Sequence, residues 1–148
     1  MSSEAQRVYL MERMLANLGR FSFPIALPNQ PFDAPKNATY GEFHILSGPK
    51  SVVIGGEGRG RARVRYVGSV QLTIWMPNDK GTKTGSEGSD AFRKVFQLFQ
   101  GRDSANSTYK FGVIQEFTPQ TKAGWECAVV RVPFERDSIE DVTISANG

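Results

Sequence analysis

Apolar side chains stand at Val8, Met11, Leu15 and Leu18, with Met14 beside them. Steps of three and four predict an amphipathic helix over residues 3 to 18. Glu4, Arg7, Glu12 and Arg13 take its polar side. Ser3, followed three residues later by Gln6, fits a capping box, and Gly19 offers a left-handed stop. Further along, the period becomes two. Phe43 and Ile45 alternate with Glu42, His44 and Leu46, which predicts a strand over Tyr40 to Leu46. Two more extended runs follow, Arg61 to Gly68 and Val70 to Met76, with a bend or bulge near Gly68. In the second, Leu72 and Ile74 face one side, and Gln71, Thr73 and Trp75 face the other. Phe92, Val95, Phe96 and Phe99 restore the helical spacing, with Ser89 as its cap and a stop at Gly101. Tyr109, Phe111, Val113 and Phe117 predict a strand over Thr108 to Phe117. Ala128, Val130, Val132 and Phe134 predict another over Gly124 to Glu135, with a hairpin turn within Thr118 to Ala123.

Between these elements, Phe21 to Leu27 reads as a short extended run marked as an edge by Pro24. The prolines from Pro28 to Pro35 exclude a helix and predict a fixed crossing segment, with Phe32 as its anchor to the core. Residues 47–60 hold five glycines around Val52, Val53 and Ile54, as a glycine-rich hairpin arm or loop. Asn78 to Gly88 reads as a flexible polar loop, and residues 136–148 as a polar, acidic tail. No linker divides the chain, so residues 1–148 are expected to form a single domain. Strands are grouped rather than alternating with helices. The fold class is therefore α+β: a mostly antiparallel or mixed β-sheet with two helices packed on one face.

Composition narrows the function classes. Ten Phe, four Tyr and two Trp in 148 residues supply too many buriable rings for a disordered chain. One cysteine excludes an internal disulfide, and one His with one Cys leaves little for zinc. No run of about 18 apolar residues is present, and the N-terminal residues lack the uncharged apolar core of a signal peptide. The expectation is a soluble protein made in the cytoplasm, with no membrane partner.

No catalytic constellation emerges. Cys127 lies within a strand pattern, and nothing places His44 beside it. A G-x-S-x-G elbow is missing, and the carboxylates have no acid–base or metal-cage spacing. Gly56, Gly58 and Gly60 imitate a phosphate cradle but are followed by neither Lys-Ser/Thr nor a helix. The expectation is no enzyme, no cofactor and no metal.

Charge is the most informative feature. The chain has 18 basic and 15 acidic residues, a net +3. Without Arg59, Arg61, Arg63 and Arg65 the balance is 14 against 15, or −1. If extended, these arginines project from one face at steps of about 7 Å. Three readings stand: a solvated edge strand that resists aggregation, a surface for an acidic protein partner, or a track for nucleic-acid phosphates.

The order of elements resembles the tail terminator proteins of long-tailed bacteriophages, of the lambda tail terminator and minor tail protein type. The likeness rests on a short N-terminal helix, the crossing from Pro28 to Pro35, and Tyr-Gly-Glu-Phe at Tyr40 to Phe43. It continues with Gly-x-x-x-Leu-x-Ile at Gly68 to Ile74, the turn from Pro77 with Gly81 and Gly85, and a Phe-rich helix. It ends with Trp125 and Val-x-Val-Pro-Phe at Val130 to Phe134, so that residues 4 to 135 are covered. The resemblance implies a structural virion protein, assembled in the host cytoplasm, that caps the completed tail tube as a hexameric ring. It would stop tube polymerisation and face the head-completion or neck proteins, with DNA only passing through the lumen. Val52, Val53 and Ile54, the four arginines, and Asp79, Lys80 and Lys83 are then the candidate partner or subunit interface. The alternative is a small nucleic-acid-binding module built on the arginines.

Overall fold

The computed structural model describes residues 4–56, 60–78 and 82–141. Its elements are α1 (Glu4–Ala16), a 3-10 turn (Leu18–Arg20), β1 (Ile25–Ala26), β2 (Tyr40–Gly56), β3 (Arg61–Pro77) and α2 (Lys83–Phe96). Then come β4 (Gln100–Arg102), β5 (Thr108–Phe111), β6 (Gln115–Lys122) and β7 (Trp125–Asp141). The seven strands form one sheet in the order β1-β2-β3-β7-β5-β4, with β6 also pairing β7. Only β1 runs parallel to its neighbour. This is the α+β sheet that the grouped strands predict.

Three strands, β2, β3 and β7, are each 17 residues long. They run beyond the helix-covered part as a three-stranded arm. The glycine-rich run therefore takes the hairpin form: Ser51 to Gly56 pair with Tyr66 to Ala62. The tail is strand as far as Asp141, because β7 follows β3 without a break from Trp125 opposite Pro77 to Asp141 opposite Arg61. The irregularity expected near Gly68 falls on β2 instead, between Ser47 and Ser51 and again between Val53 and Gly55. Gly68 is still required there, since a Cβ would stand 2.6 Å from the Leu46 carbonyl oxygen and 2.9 Å from the Phe134 ring.

Alternation places Val70, Leu72, Ile74 and Met76 of β3, and Val130, Val132 and Phe134 of β7, on one buried face. Both helices cover it. The Phe43 ring stacks on Phe96 at 5.9 Å, and Phe96 also meets Phe92 at 5.1 Å and Phe111 at 5.3 Å. α1 lies in a different phase from the one its spacing suggests. Leu10, Met11 and Met14 are buried, whereas Val8 and Leu15 are 38% and 50% exposed. Two overlapping three-and-four patterns exist in the sequence, and the sheet selects the one containing Leu10. Arg13, on the side read as polar, instead joins the helices. Its Nε donates to the Val95 carbonyl at 2.8 Å, and its guanidinium lies over the Phe99 ring. A cation thus meets carbonyl density in the last turn of α2, where it is favoured. Phe32 packs on Tyr40 at 5.8 Å, with Trp75 and Trp125 nearby, so it anchors the crossing segment on the far side of the sheet rather than in the core.

The loop expected through Gly88 is shorter. α2 begins at Lys83, and Ser89, read as its cap, is buried inside it. Gly85 and Gly88 are close-packing positions. A Cβ on Gly88 would stand 2.6 Å from the Phe23 ring and 3.1 Å from Ile74, and one on Gly85 would stand 2.3 Å from the Met76 sulfur. In a free helix Gly88→Ala would stabilise by about 1 kcal/mol. Here overpacking costs about 1–3 kcal/mol and outweighs it. Urea unfolding of Gly88→Ala should show a net loss of up to about 2 kcal/mol; a gain would show that helix and sheet are farther apart.

The run expected as one strand from Thr108 to Phe117 breaks after Phe111. The Gly112 N–H donates to the Pro133 carbonyl at 2.8 Å, and Val113 turns outward. Phe117 lies on β6, whose residues are all exposed. The turn to β7 is tight at Ala123 and Gly124, both at positive φ.

Candidate functional site

β3 lies between β2 and β7, so Arg61, Arg63 and Arg65 are not on an edge strand. Their odd-numbered positions put them on the sheet face that the helices leave uncovered. On β7 the same face carries Glu135, Asp137 and Ile139, opposite Val67, Arg65 and Arg63. On β5 and β4 it carries Thr108, Lys110 and Arg102. Charge is therefore arranged in columns, cationic on β3, acidic on β7, cationic again on β5 and β4. Opposite charges directly across a sheet attract, which offsets the repulsion along the ladder.

Arg65 uses this arrangement fully. Its Nε and Nη2 donate to the two Asp137 oxygens at 2.9 and 3.1 Å, and Glu135 lies 3.5 Å away. The Asp137 hydrogen bond and charge push the Arg65 guanidinium further into its charged range. The acidic group that this arginine requires comes from its own chain. Arg63 and Arg61 extend the column towards the arm's end, both exposed. A phosphate track fits poorly, because a polyanion laid along β3 would meet Glu135 and Asp137.

The opposite face of the arm has a polar pair beside the buried Ala62 and Val64. Tyr66 donates its hydroxyl to the Glu140 carboxylate, 2.6 and 2.7 Å from its two oxygens. Burial first, and then this bond, push the Tyr66 phenol up. Arg136 lies under that ring, buried, with its Nε 3.8 Å from Asp103.

The other candidate interface residues are spread over the arm and the approach to α2. Val53 and Ile54 are exposed, and Val52 pairs with Arg65 in the backbone ladder. Lys83 is exposed in the first turn of α2. Arg59, Asp79 and Lys80 lie outside the described residues, as does the tail beyond Asp141. The sequence reading missed Arg102, Glu135 and Asp137 on this surface. Positions 135 and 137 share the parity of the arginines, but only the register of β7 against β3 reveals that.

Cys127 is buried, and burial pushes its thiol up, the direction opposite to nucleophile activation. It pairs with Trp75, whereas His44 lies across on β2 opposite Gln71, so the two are not brought together. Among the described residues, no group of three His, Cys, Asp or Glu side chains could hold a metal ion. No described helix is long and apolar enough to cross a membrane.

Residues 7–134 match the family model described as phage tail terminator protein. The chain belongs to that family. Terminators are structural components of the phage tail that associate with the tail tube and are not enzymes. One solved structure covers 92% of this terminator with 96% of its own chain, at a TM-score of 0.69 and 16% identity. That likeness shows a shared fold. A search of curated proteins gave no match.

Proposed function

We propose that this chain caps the completed tail tube as a homohexameric ring, stops tube growth and presents a surface to the head-completion or neck proteins. DNA passes only through the lumen, and assembly takes place in the host cytoplasm. The observation that carries this reading is the family match over residues 7–134. The geometry adds support. The helices cover only one sheet face, and an arm projects from the body.

The edges of the sheet differ in a telling way. β4 is three residues long and ends in Arg102. β6 has Pro119, a register shift and Lys122. Such features discourage strand addition. The outer edge of β2 in the arm has a register shift between Val53 and Gly55 but no charge or proline from Val52 to Gly56, and Val53 is 63% exposed. We read it as the edge that a neighbouring subunit extends. Repetition around the ring axis then multiplies a weak contact into a stable one.

The test spares Arg65, whose ion pair is internal. The pair Arg61→Glu and Arg63→Glu should keep the circular dichroism of the wild type and lose at least tenfold in capture on purified tail tubes. Unchanged capture would remove the arm's arginines from the interface.

A further inference from the structure

We propose that Tyr66 is the strap of a clasp that holds the arm stiff and fixes its set against the body, so that the arm meets the tail tube already ordered. The stiffness stands on the structure alone; its use in tube capture rests on the terminator reading.

An arm of this kind needs such a device. Beyond the helix-covered sheet it is a ribbon of β2, β3 and β7, and a ribbon without a packed layer is marginally stable in water. Yet Ala62, Val64 and Ser138, on its even-numbered face, are buried, although neither Ala62 nor Val64 belongs to the core beneath the helices. The register explains what lies over them. Tyr66 pairs with Arg136, Val64 with Ser138, and Ala62 with Glu140. The Tyr66 hydroxyl nevertheless bonds the Glu140 carboxylate, 2.6 and 2.7 Å from its two oxygens. Four residues of strand span about 13 Å. Both side chains must therefore lie along the ribbon to meet, with the phenol passing over the Val64–Ser138 pair.

The root of the strap is fastened from beneath. Arg136 is buried, and its guanidinium stands 5.3 Å from the centre of the Tyr66 ring. Its Nε lies 3.8 Å from Asp103 and has no hydrogen-bond partner among the described residues. The π face above and the Asp103 carboxylate both attract that buried charge. Asp103 belongs to the body. It accepts from the Ala105 and Ser107 N–H groups and from the Tyr109 hydroxyl, and Tyr109 stacks on Tyr9 of α1 at 4.4 Å. Contacts thus run from Glu140, far out on the arm, through Tyr66, Arg136 and Asp103 to the first helix. On the other face, beside Tyr66, Arg65 bonds Asp137. The β3–β7 pair is therefore fastened on both faces, whereas β2 joins the arm across two register shifts.

A stiff arm has little conformational freedom to lose on docking, and binding is tighter for the same contacts. Loosening the clasp should then weaken capture even though Tyr66 and Glu140 bond each other and not the tube.

The test follows backbone amide exchange in the full chain. Tyr66→Phe keeps the ring over Arg136 and removes only the bond to Glu140. Glu140→Ala removes the same bond from the other side. A hydrogen bond to a carboxylate is strong enough to change local opening about tenfold. Exchange at residues 61–66 and 136–141 should therefore quicken about tenfold in either variant, and no further in the double variant, because both remove one interaction. Glu140→Gln, which retains an acceptor oxygen, should keep part of the protection. Residues 70–76 should exchange as in the wild type. Unchanged exchange in the arm overturns the clasp. So does equal quickening in the arm and at residues 70–76, which marks a general loss of stability. Capture of Tyr66→Phe on purified tail tubes should fall about three- to tenfold. Capture equal to the wild type, with the arm loosened, overturns the use assigned to the stiffness. Wild-type chain that does not bind tubes refutes the terminator reading and leaves the exchange result standing.

Discussion

Replacing Phe96 with alanine should lower the unfolding free energy by about 4 kcal/mol. Phe96 is wholly buried, and it is the ring on which the core converges. It stacks on Phe43 from β2, touches Phe92 one turn earlier, and meets Phe111 from β5. It thus joins α2 to strands on both sides of the sheet centre. Truncation leaves a ring-sized cavity among rigid aromatics, which relax poorly, so both the transfer and the cavity costs apply in full. For a chain of this size that loss corresponds to a melting temperature lower by about 8–16 °C. Lys94→Ala, exposed on the same helix, is the control and should change stability by less than about 0.5 kcal/mol. A similarly small change for Phe96→Ala would mean that α2 does not pack through this ring.

Asp103→Ala should be nearly as damaging, by about 3–5 kcal/mol. One Asp103 oxygen accepts from the backbone N–H of Ala105 at 2.9 Å and of Ser107 at 3.0 Å. The other accepts the Tyr109 hydroxyl at 2.8 Å and faces Arg136 at 3.8 Å. Asp103, Ser107, Tyr109 and Arg136 are buried. Removing the carboxylate leaves two buried donors, the Ser107 N–H and the Tyr109 hydroxyl, unpaired and a buried guanidinium with no counter-charge, which is the costly way to break such a pair. Ser107→Ala provides the contrast. Its hydroxyl has no hydrogen-bond partner among the described residues, so its loss should be close to neutral. The same cluster has a pH signature. Burial, followed by the Asp103 hydrogen bond, pushes the Tyr109 phenol far up. The folded state therefore holds this proton more tightly than the unfolded state does. The resulting stability is complete below about pH 10 and is lost as pH rises further. Phenolate absorbance from Tyr109 should emerge only together with unfolding.

Much of this architecture is written in local patterns. The period of two at Leu72 and Ile74, and at Val130, Val132 and Phe134, marks the buried face correctly, and Phe92, Val95 and Phe96 mark the helix above it. The start of α2 was not legible, because Lys83 to Gly88 has the composition of a linker. Its glycines instead recur at a helical step and let the helix approach Phe23 and Met76. The arginine column was legible as a column. Its acidic counterpart was not, since Asp137 lies 72 residues from Arg65 and only the pairing of β3 with β7 aligns them. Short β4 and the phase of α1 depend on tertiary packing, which local periodicity does not encode.

The central claim is that this chain ends tail-tube growth by seating on the tube's end as a ring. Electron microscopy of tube protein polymerising in vitro, with and without the purified chain, tests it most directly. Tubes of arrested length with a six-fold density at one end are expected whenever the chain is present. Tubes that lengthen equally in its presence, with bare ends, would contradict it.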